Sequence, residues 1–247
     1  KNILELSRKS IAKNLNATAQ EIIFTSCGTE ANNWILRSAV KDLQVKRIIT
    51  SKIEHHAVLY TALVLEKEYD IQIDYVNVKP NGEIDITHLV ELLSQEKKTL
   101  VSLMHVNNEI GTVLDLERIG RICQEHNTLF HSDTVQSIGK TPIDLEKLSV
   151  DFIVASAHKF HGPKGTGFAF IRKNSGLQPL FFGGEQEKGL RAGTEALHQI
   201  AGMAKALKLS YSNLETEQKH ILELRKYLIT QLKTAFPEFK INGNPDG

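Results

Sequence analysis

Short apolar runs rich in β-branched and aromatic residues alternate along the chain with stretches in which apolar residues recur every three or four positions. The runs predict strands at 22–25, 47–51, 71–76, 100–105, 128–131, 152–156 and 167–171, and the wider spacing predicts helices at 30–41, 57–68, 86–94 and 116–126. In the last of these, Leu116, Ile119, Ile122 and Cys123 share one face. Strands alternating with helices are the signature of an α/β fold, a mostly parallel seven-stranded sheet flanked by helices on both faces. In such sheets ligands collect beyond the C-terminal strand ends, where loops and helix N-termini meet. From Ala196 to about Phe236 the pattern becomes one long helical stretch with a break near 210–213, leading out of the sheet domain. The chain opens in mid-helix pattern, and residues 241–247 read as a turn.

Composition narrows the function classes. With 247 residues, 41% hydrophobic and 24% charged, the chain suits a folded domain with a large core rather than a disordered or fibrous protein. Thirty Lys and Arg against 29 Asp and Glu leave no basic excess for a nucleic-acid footprint. No apolar run reaches the roughly 20 residues that cross a bilayer, so no membrane span is predicted. Two isolated cysteines, Cys27 and Cys123, suit a reducing compartment, and a cytoplasmic location is expected. No metal site is predicted.

Five segments follow predicted strands and carry candidate chemistry. Ser156-Ala157-His158-Lys159-Phe160-His161-Gly162 follows the apolar run 152–155, a place where a lysine amine is partly desolvated and becomes a nucleophile for an aldehyde; a solvated loop lysine is the plain alternative. His131-Ser132-Asp133-Thr134-Val135-Gln136 offers a carboxylate that can hold a proton on a ring nitrogen, or that simply caps a turn. Phe24-Thr25-Ser26-Cys27-Gly28-Thr29-Glu30 is a strand, a small-residue turn and a helix start, which exposes backbone N–H groups to a phosphate. Glu54-His55-His56 puts an imidazole at a helix start, for stacking, for proton transfer or for capping. Asn107-Asn108-Glu109 reads as a turn or as an amide reaching a ring oxygen or a carboxylate.

Taken together, FTSCGTEANN, EHHAV, MHVNNEIGT, HSDTVQSIGK, SAHKFHGPKG and GLRAGT resemble, in order and over nearly the whole chain, the class V aminotransferase-like enzymes of pyridoxal 5'-phosphate (PLP), and within them the NifS/IscS-like cysteine desulfurases. The resemblance implies the fold type I PLP-dependent transferase, with a PLP-binding large domain over 1–212, lacking its N-terminal segment, and the start of a truncated small C-terminal domain over 213–247. It implies that Lys159 binds the cofactor covalently and moves the substrate's α-proton, that Asp133 pairs with the ring nitrogen and Gln136 with the phenolic oxygen, and that His55 stacks on the ring. Gly28, Thr29, Ser156 and His158 would cradle the phosphate, joined by Thr194 from the neighbouring subunit of a homodimer. Asn108 would lie near the cofactor and the substrate carboxylate.

The implied reaction takes sulfur from L-cysteine, giving L-alanine and a protein persulfide for a sulfur acceptor or an iron-sulfur scaffold protein. Cys27 departs from the family's usual glycine and matches the phosphate turn, while Cys123 matches a buried helix face. The family's acceptor cysteine and carboxylate-gripping arginine are expected beyond Gly247, so residues 1–247 are expected to hold PLP without completing desulfuration. A selenocysteine lyase or another class V aminotransferase would share Lys159 and Asp133, and a PLP-binding scaffold without turnover is the non-enzymatic alternative. No G-x-G-x-x-G follows the first strand, and 162–167 lacks the Lys-Ser/Thr of a nucleotide loop, which argues against dinucleotide and nucleotide binding.

Overall fold

The structure, a computed structural model, describes residues 2–241 and residue 243; the turn expected over 241–247 falls largely outside them. Strands β1 (Ile22–Thr25), β2 (Arg47–Ser51), β3 (Gln72–Val76), β4 (Thr99–Ser102), β5 (Leu129–Asp133), β6 (Phe152–Ser156) and β7 (Gly167–Ile171) form a seven-stranded sheet in the order β1-β7-β6-β5-β4-β2-β3. The pairings β2–β3, β2–β4, β4–β5 and β5–β6 are parallel, and β7 runs antiparallel to both β1 and β6. The mostly parallel sheet predicted from the sequence is therefore present.

The burial pattern explains why the strands read as unbroken apolar runs. Along β6, Phe152 and Val154 enter one hydrophobic layer while Ile153 and Ala155 enter the opposite one, so both faces of the pleat need apolar side chains. The first layer packs under α2 (Gly28–Lys41) and α3 (His56–Tyr69), through Trp34, Ile35, Val58 and Leu65. The second packs under α1 (Asn2–Asn14), α4 (Ile86–Leu93), α5 (Leu116–Glu125) and α6 (Leu197–Ser212), through Ile11, Leu89, Ile119 and Met203. Asp85 and Asp115 cap α4 and α5 by accepting from Thr87 N and Arg118 N. In α5 the buried face is Leu116, Ile119, Gly120 and Cys123, with Ile122 at its margin.

Two strand ends beside the site fall elsewhere than the sequence predicts, and α2 starts at Gly28 rather than at residue 30. β4 ends at Ser102 rather than residue 105, although Leu103 N and His105 N still donate to His131 O and Asp133 O. There the chain leaves its partner β2 and turns back through the Val106–Val113 bridge. β5 runs on to Asp133 because His131 and Asp133 stay in register with Phe152 and Val154. The long helical stretch breaks at Asn213, which separates α6 from α7 (Leu214–Ala235). None of the α7 residues is buried. Among the described residues no helix is long and apolar enough to cross a membrane.

Candidate active site

A cavity of about 240 Å³ opens at the C-terminal ends of β5 and β6, and Cys27, Gly28, Thr29, Asn32, His55, Met104, Asn108, Asp133, Val135, Gln136, Ser156, His158 and Lys159 line it. Nine of the ten residues singled out from the sequence meet here. The tenth, Thr194, does not.

Lys159 lies in a single 3₁₀ turn, Ala157–Phe160, immediately after β6. With three residues per turn, positions 157 and 160 share a face. Ala157 and Phe160 are buried against the core, which leaves His158 and Lys159 facing the cavity. Ala157 N donates to Thr166 O and Gly162 N to Ala157 O, closing the turn. Lys159 is half-buried and His158 exposed. Burial, with the nearby charges of Lys159 and Lys164, lowers the His158 pKa and favours the neutral ring.

Asp133 is 4% exposed. Its Oδ1 accepts from Val135 N at 2.9 Å and its Oδ2 from Asn32 Nδ2 at 2.7 Å. The carboxylate therefore does cap its own turn, yet it also borders the cavity. Burial raises its pKa against the opposing pull of those two donors and of His55 and Lys159. A carboxyl this costly to ionise alone is relieved by a cation placed beside it. Thr134 Oγ1 anchors the same turn on Val154 O at 2.7 Å, which positions Gln136 on the cavity wall.

The phosphate-cradle candidates occupy the N-terminus of α2. Cys27 precedes the helix in extended backbone with no side-chain cap, and Gly28 N donates to Ser156 Oγ at 2.7 Å. Gly167 lets this turn lie close to β7, since a Cβ there would meet Cys27 backbone at 3.1 Å and Ala155 O at 2.3 Å. A Cβ on Gly28 would come within 2.5 Å of Val135 Cγ2 and 3.0 Å of Ser156 Oγ. We therefore expect Gly28→Ala to weaken PLP binding by about tenfold, about 1.4 kcal/mol, measured by titrating the apo chain with PLP. Unchanged affinity would place the phosphate elsewhere.

His55 caps α3, its Nδ1 accepting from Ala57 N at 3.1 Å, so in the neutral ring the proton sits on Nε2. The ring is exposed and lines the cavity, as a stacking wall must. Asn108 is also exposed there, donating to Glu109 Oε1, while Asn107 Oδ1 accepts from Glu109 N and Ile110 N and makes the turn. The plain turn reading thus holds for Asn107 and leaves Asn108 free to face the cavity.

The segment Gly189-Leu190-Arg191-Ala192-Gly193-Thr194 stands apart from these residues. Arg191 forms a two-pronged ion pair with Glu30, Nε to Oε1 at 2.9 Å and Nη2 to Oε2 at 3.1 Å. Its charge is taken up within the chain. Thr194 is exposed and does not cap α6, whose N-cap is Ala196. The preceding loop is anchored by buried Glu187, which takes two N–H groups of Arg8 and the Phe24 N–H, each at 2.7 Å.

Asn32, Met104 and Val135 line the cavity without having been singled out. Asn32 was legible, standing one turn after Gly28 on α2 and so on the same face; the tertiary contact of Met104 leaves no such trace. Of the cysteines, Cys27 is half-buried on the cavity rim, and Cys123 is buried with its thiol pushed up to about 12 by burial and by Asp151.

A flat aromatic aldehyde bearing a phosphate needs an amine, a carboxylate for its ring nitrogen, an N–H cradle and a wall to stack on. The donor set here fits each need. The orphaned, buried Asn32 Oδ1 beside Asp133 also indicates a polar arrangement that the protein alone does not complete.

Comparison with known proteins gives the family. The aminotransferase class-V model matches residues 1–246, and the chain belongs to that family of PLP enzymes. Among its relatives, the cysteine desulfurase IscS of Clostridium botulinum (strain Kyoto / Type A2) is 42% identical over the whole chain, and putative cysteine desulfurase IscS 1 of Bacillus subtilis is 42% identical over 97% of it. The chain spans 62% and 63% of those two proteins. A solved NifS-like protein superposes with a TM-score of 0.91 at 42% identity, covering 95% of this chain and 65% of that one. SspA in complex with cysteine gives 0.80 at 38%, covering 84% and 60%.

Proposed function

We propose that this chain is the PLP-binding portion of a cysteine desulfurase, holding PLP on Lys159 and acting on L-cysteine to give L-alanine and a persulfide on a cysteine thiol. The observation that carries the proposal is the shared cavity of Lys159, Asp133 and the N-terminus of α2. When bound, PLP supplies an electron sink for charge that develops at the substrate α-carbon. In this reading Asp133 keeps the proton on the ring nitrogen, Gln136 donates to the phenolic oxygen, and His55 covers one ring face. Gly28, Thr29, Ser156 and His158 bind the phosphate, and Asn108 orients the ring and the substrate carboxylate. The Lys159 amine, once free, takes and returns the α-proton.

Homodimerisation is included in the proposal, with Thr194 serving the neighbouring site. Phe181 and Phe182, 46% and 83% exposed in the loop leading to it, support this. Sedimentation showing a PLP-loaded monomer would contradict it. A cytoplasmic location, a sulfur-acceptor or iron-sulfur scaffold partner, and a second domain beginning at residue 213 belong to the same reading. The last is supported by the lack of buried residues along α7.

Neither cysteine suits the acceptor role. The Cys123 thiol is buried, with its pKa at about 12, and Cys27 is held in the turn before α2. Persulfide formation needs a thiolate that can swing to the substrate sulfur and away again. We therefore expect the PLP-loaded chain to change its visible spectrum on adding L-cysteine without releasing alanine catalytically. Sustained alanine release from a chain of verified mass, abolished by Cys27→Ser, would make Cys27 the acceptor.

A further inference from the structure

Past the Ile49–Val101 pair the β2–β4 ladder stops, yet the segments that continue from these strands carry His55 and Asn108 to the Lys159 cavity. Two side chains replace the ladder. Glu54 Oε1 accepts from Met104 N at 2.9 Å and from Ser51 Oγ at 3.1 Å, and Asn107 Nδ2 donates to Ile53 O at 2.7 Å. Each stitch sits next in sequence to a cavity residue, Glu54 before His55 and Asn107 before Asn108.

Glu54 is 5% exposed, and its second oxygen, Oε2, is buried without a partner. It borders a separate cavity of about 260 Å³, and Met104, to which it is bonded, lines both this cavity and that of Lys159. A buried carboxyl that makes two hydrogen bonds with one oxygen and none with the other is costly unless it serves a purpose.

We propose that Glu54 is a positioning residue of the Lys159 site, stitching the ends of β2 and β4 together so that His55 and Asn108 are held facing Asp133. It acts through Met104 and the chain rather than by touching the cofactor, and the role rests on the PLP reading above. The charged groups around it are Asp133 on β5, His55 on its own segment, Lys159 across the first cavity, and Lys79, Glu83, Asp115 and Arg118 around the second. His105 on the β4 extension is neutral, its pKa lowered to about 4 by burial. Burial and the charge of Asp133 push the Glu54 pKa up to about 8. Glu54 is thus largely neutral near pH 7; ionisation above about 8 puts a second negative charge beside Asp133, against which the Met104 N–H and Ser51 hydroxyl favour the charged form.

The folded-state pKa lies above the ordinary 4.5, so the stability associated with this proton is full below about 4.5 and is lost as pH rises through about 8. Glu54→Gln retains an oxygen acceptor for Met104 N and Ser51 Oγ but cannot ionise. Glu54→Ala removes the acceptor and leaves the Met104 N–H buried and unpaired.

The test titrates the apo forms of wild type and both variants with PLP from about pH 6 to about pH 9.5, with borohydride reduction and peptide mapping at Lys159, and records thermal stability over the same range. Glu54→Gln is expected to bind PLP within about twofold of wild type across this range. Its stability advantage over wild type should grow up to about pH 8 and then level off. Glu54→Ala is expected to lose about tenfold in affinity at every pH, the scale of an orphaned buried donor. Glu54→Ala binding PLP as tightly as wild type overturns the proposal, and if Glu54→Ala does not fold, a loss of about tenfold in PLP affinity at pH 7 in Glu54→Gln, which keeps the acceptor, overturns it. Wild type failing to attach PLP to Lys159 overturns the cofactor reading and this role with it. Attachment that is equal in all three proteins overturns this role only.

Discussion

Lys159→Ala abolishes the borohydride-reducible attachment of PLP to the chain, leaving the fold intact. The loss is complete because only an amine in the cavity can form the covalent bond with the aldehyde, and Lys159 is the one lysine lining it among the described residues. The fold survives because the 3₁₀ turn rests on Ala157, Phe160 and the backbone bonds to Thr166 and from Gly162, none of which involves the Lys159 side chain. We expect unfolding within about 0.5 kcal/mol of wild type, the usual range for a surface-facing change. Lys164 lies five residues on, is exposed and does not line the cavity, so Lys164→Ala should take up PLP normally. The measurement is peptide mass mapping after reduction. A pyridoxyl group on Lys164, or on any other lysine of the wild-type chain, would overturn the assignment.

Most of the sheet and most of the cavity could be read from the sequence for one physical reason. A strand buried on both faces leaves an unbroken apolar run, as in Phe152-Ile153-Val154-Ala155, and the polar residue that ends the run stands at the sheet edge where ligands gather. Asp133 and Ser156 close β5 and β6, and Gly28 and Lys159 stand three residues beyond β1 and β6. What escaped the sequence depends on distant contacts. β4 was drawn three residues too long because Leu103, Met104 and His105 look like strand, and only the loss of β2 as a partner ends it. The motif GLRAGT does not reveal that Arg191 pairs with Glu30, which lies 161 residues away in the chain. Glu54 shows no role in the sequence pattern, because the Met104 N–H that it accepts lies fifty residues away.

Asp133→Asn is expected to keep the fold and much of the PLP while losing at least about a hundredfold in substrate α-proton exchange. The introduced amide can still accept from Val135 N through its oxygen. Its NH₂ would meet the NH₂ of Asn32, but Asn32 has a buried oxygen with no partner. Rotating the Asn32 amide by half a turn presents that oxygen to the new NH₂ and leaves the Asn32 NH₂ as the unpartnered group in its place. The substitution also removes a buried carboxyl whose pKa burial raises, which offsets the unpartnered NH₂, so stability near pH 7 should stay close to that of wild type. The chemistry fares differently, because a neutral amide does not hold a proton on the ring nitrogen, and the ring then accepts α-carbon charge poorly. A hundredfold corresponds to about 2.7 kcal/mol of transition-state stabilisation, the scale found for a preorganised electrostatic partner in a water-poor site. The measurement is loss of the α-proton signal of L-alanine in deuterated buffer with the PLP-loaded chain, an exchange that requires no acceptor cysteine. Equal exchange rates in Asp133→Asn and wild type would reduce Asp133 to the cap of its own turn. A rate that falls together with the melting temperature would show that the carboxylate holds the β5 end together rather than serving the ring.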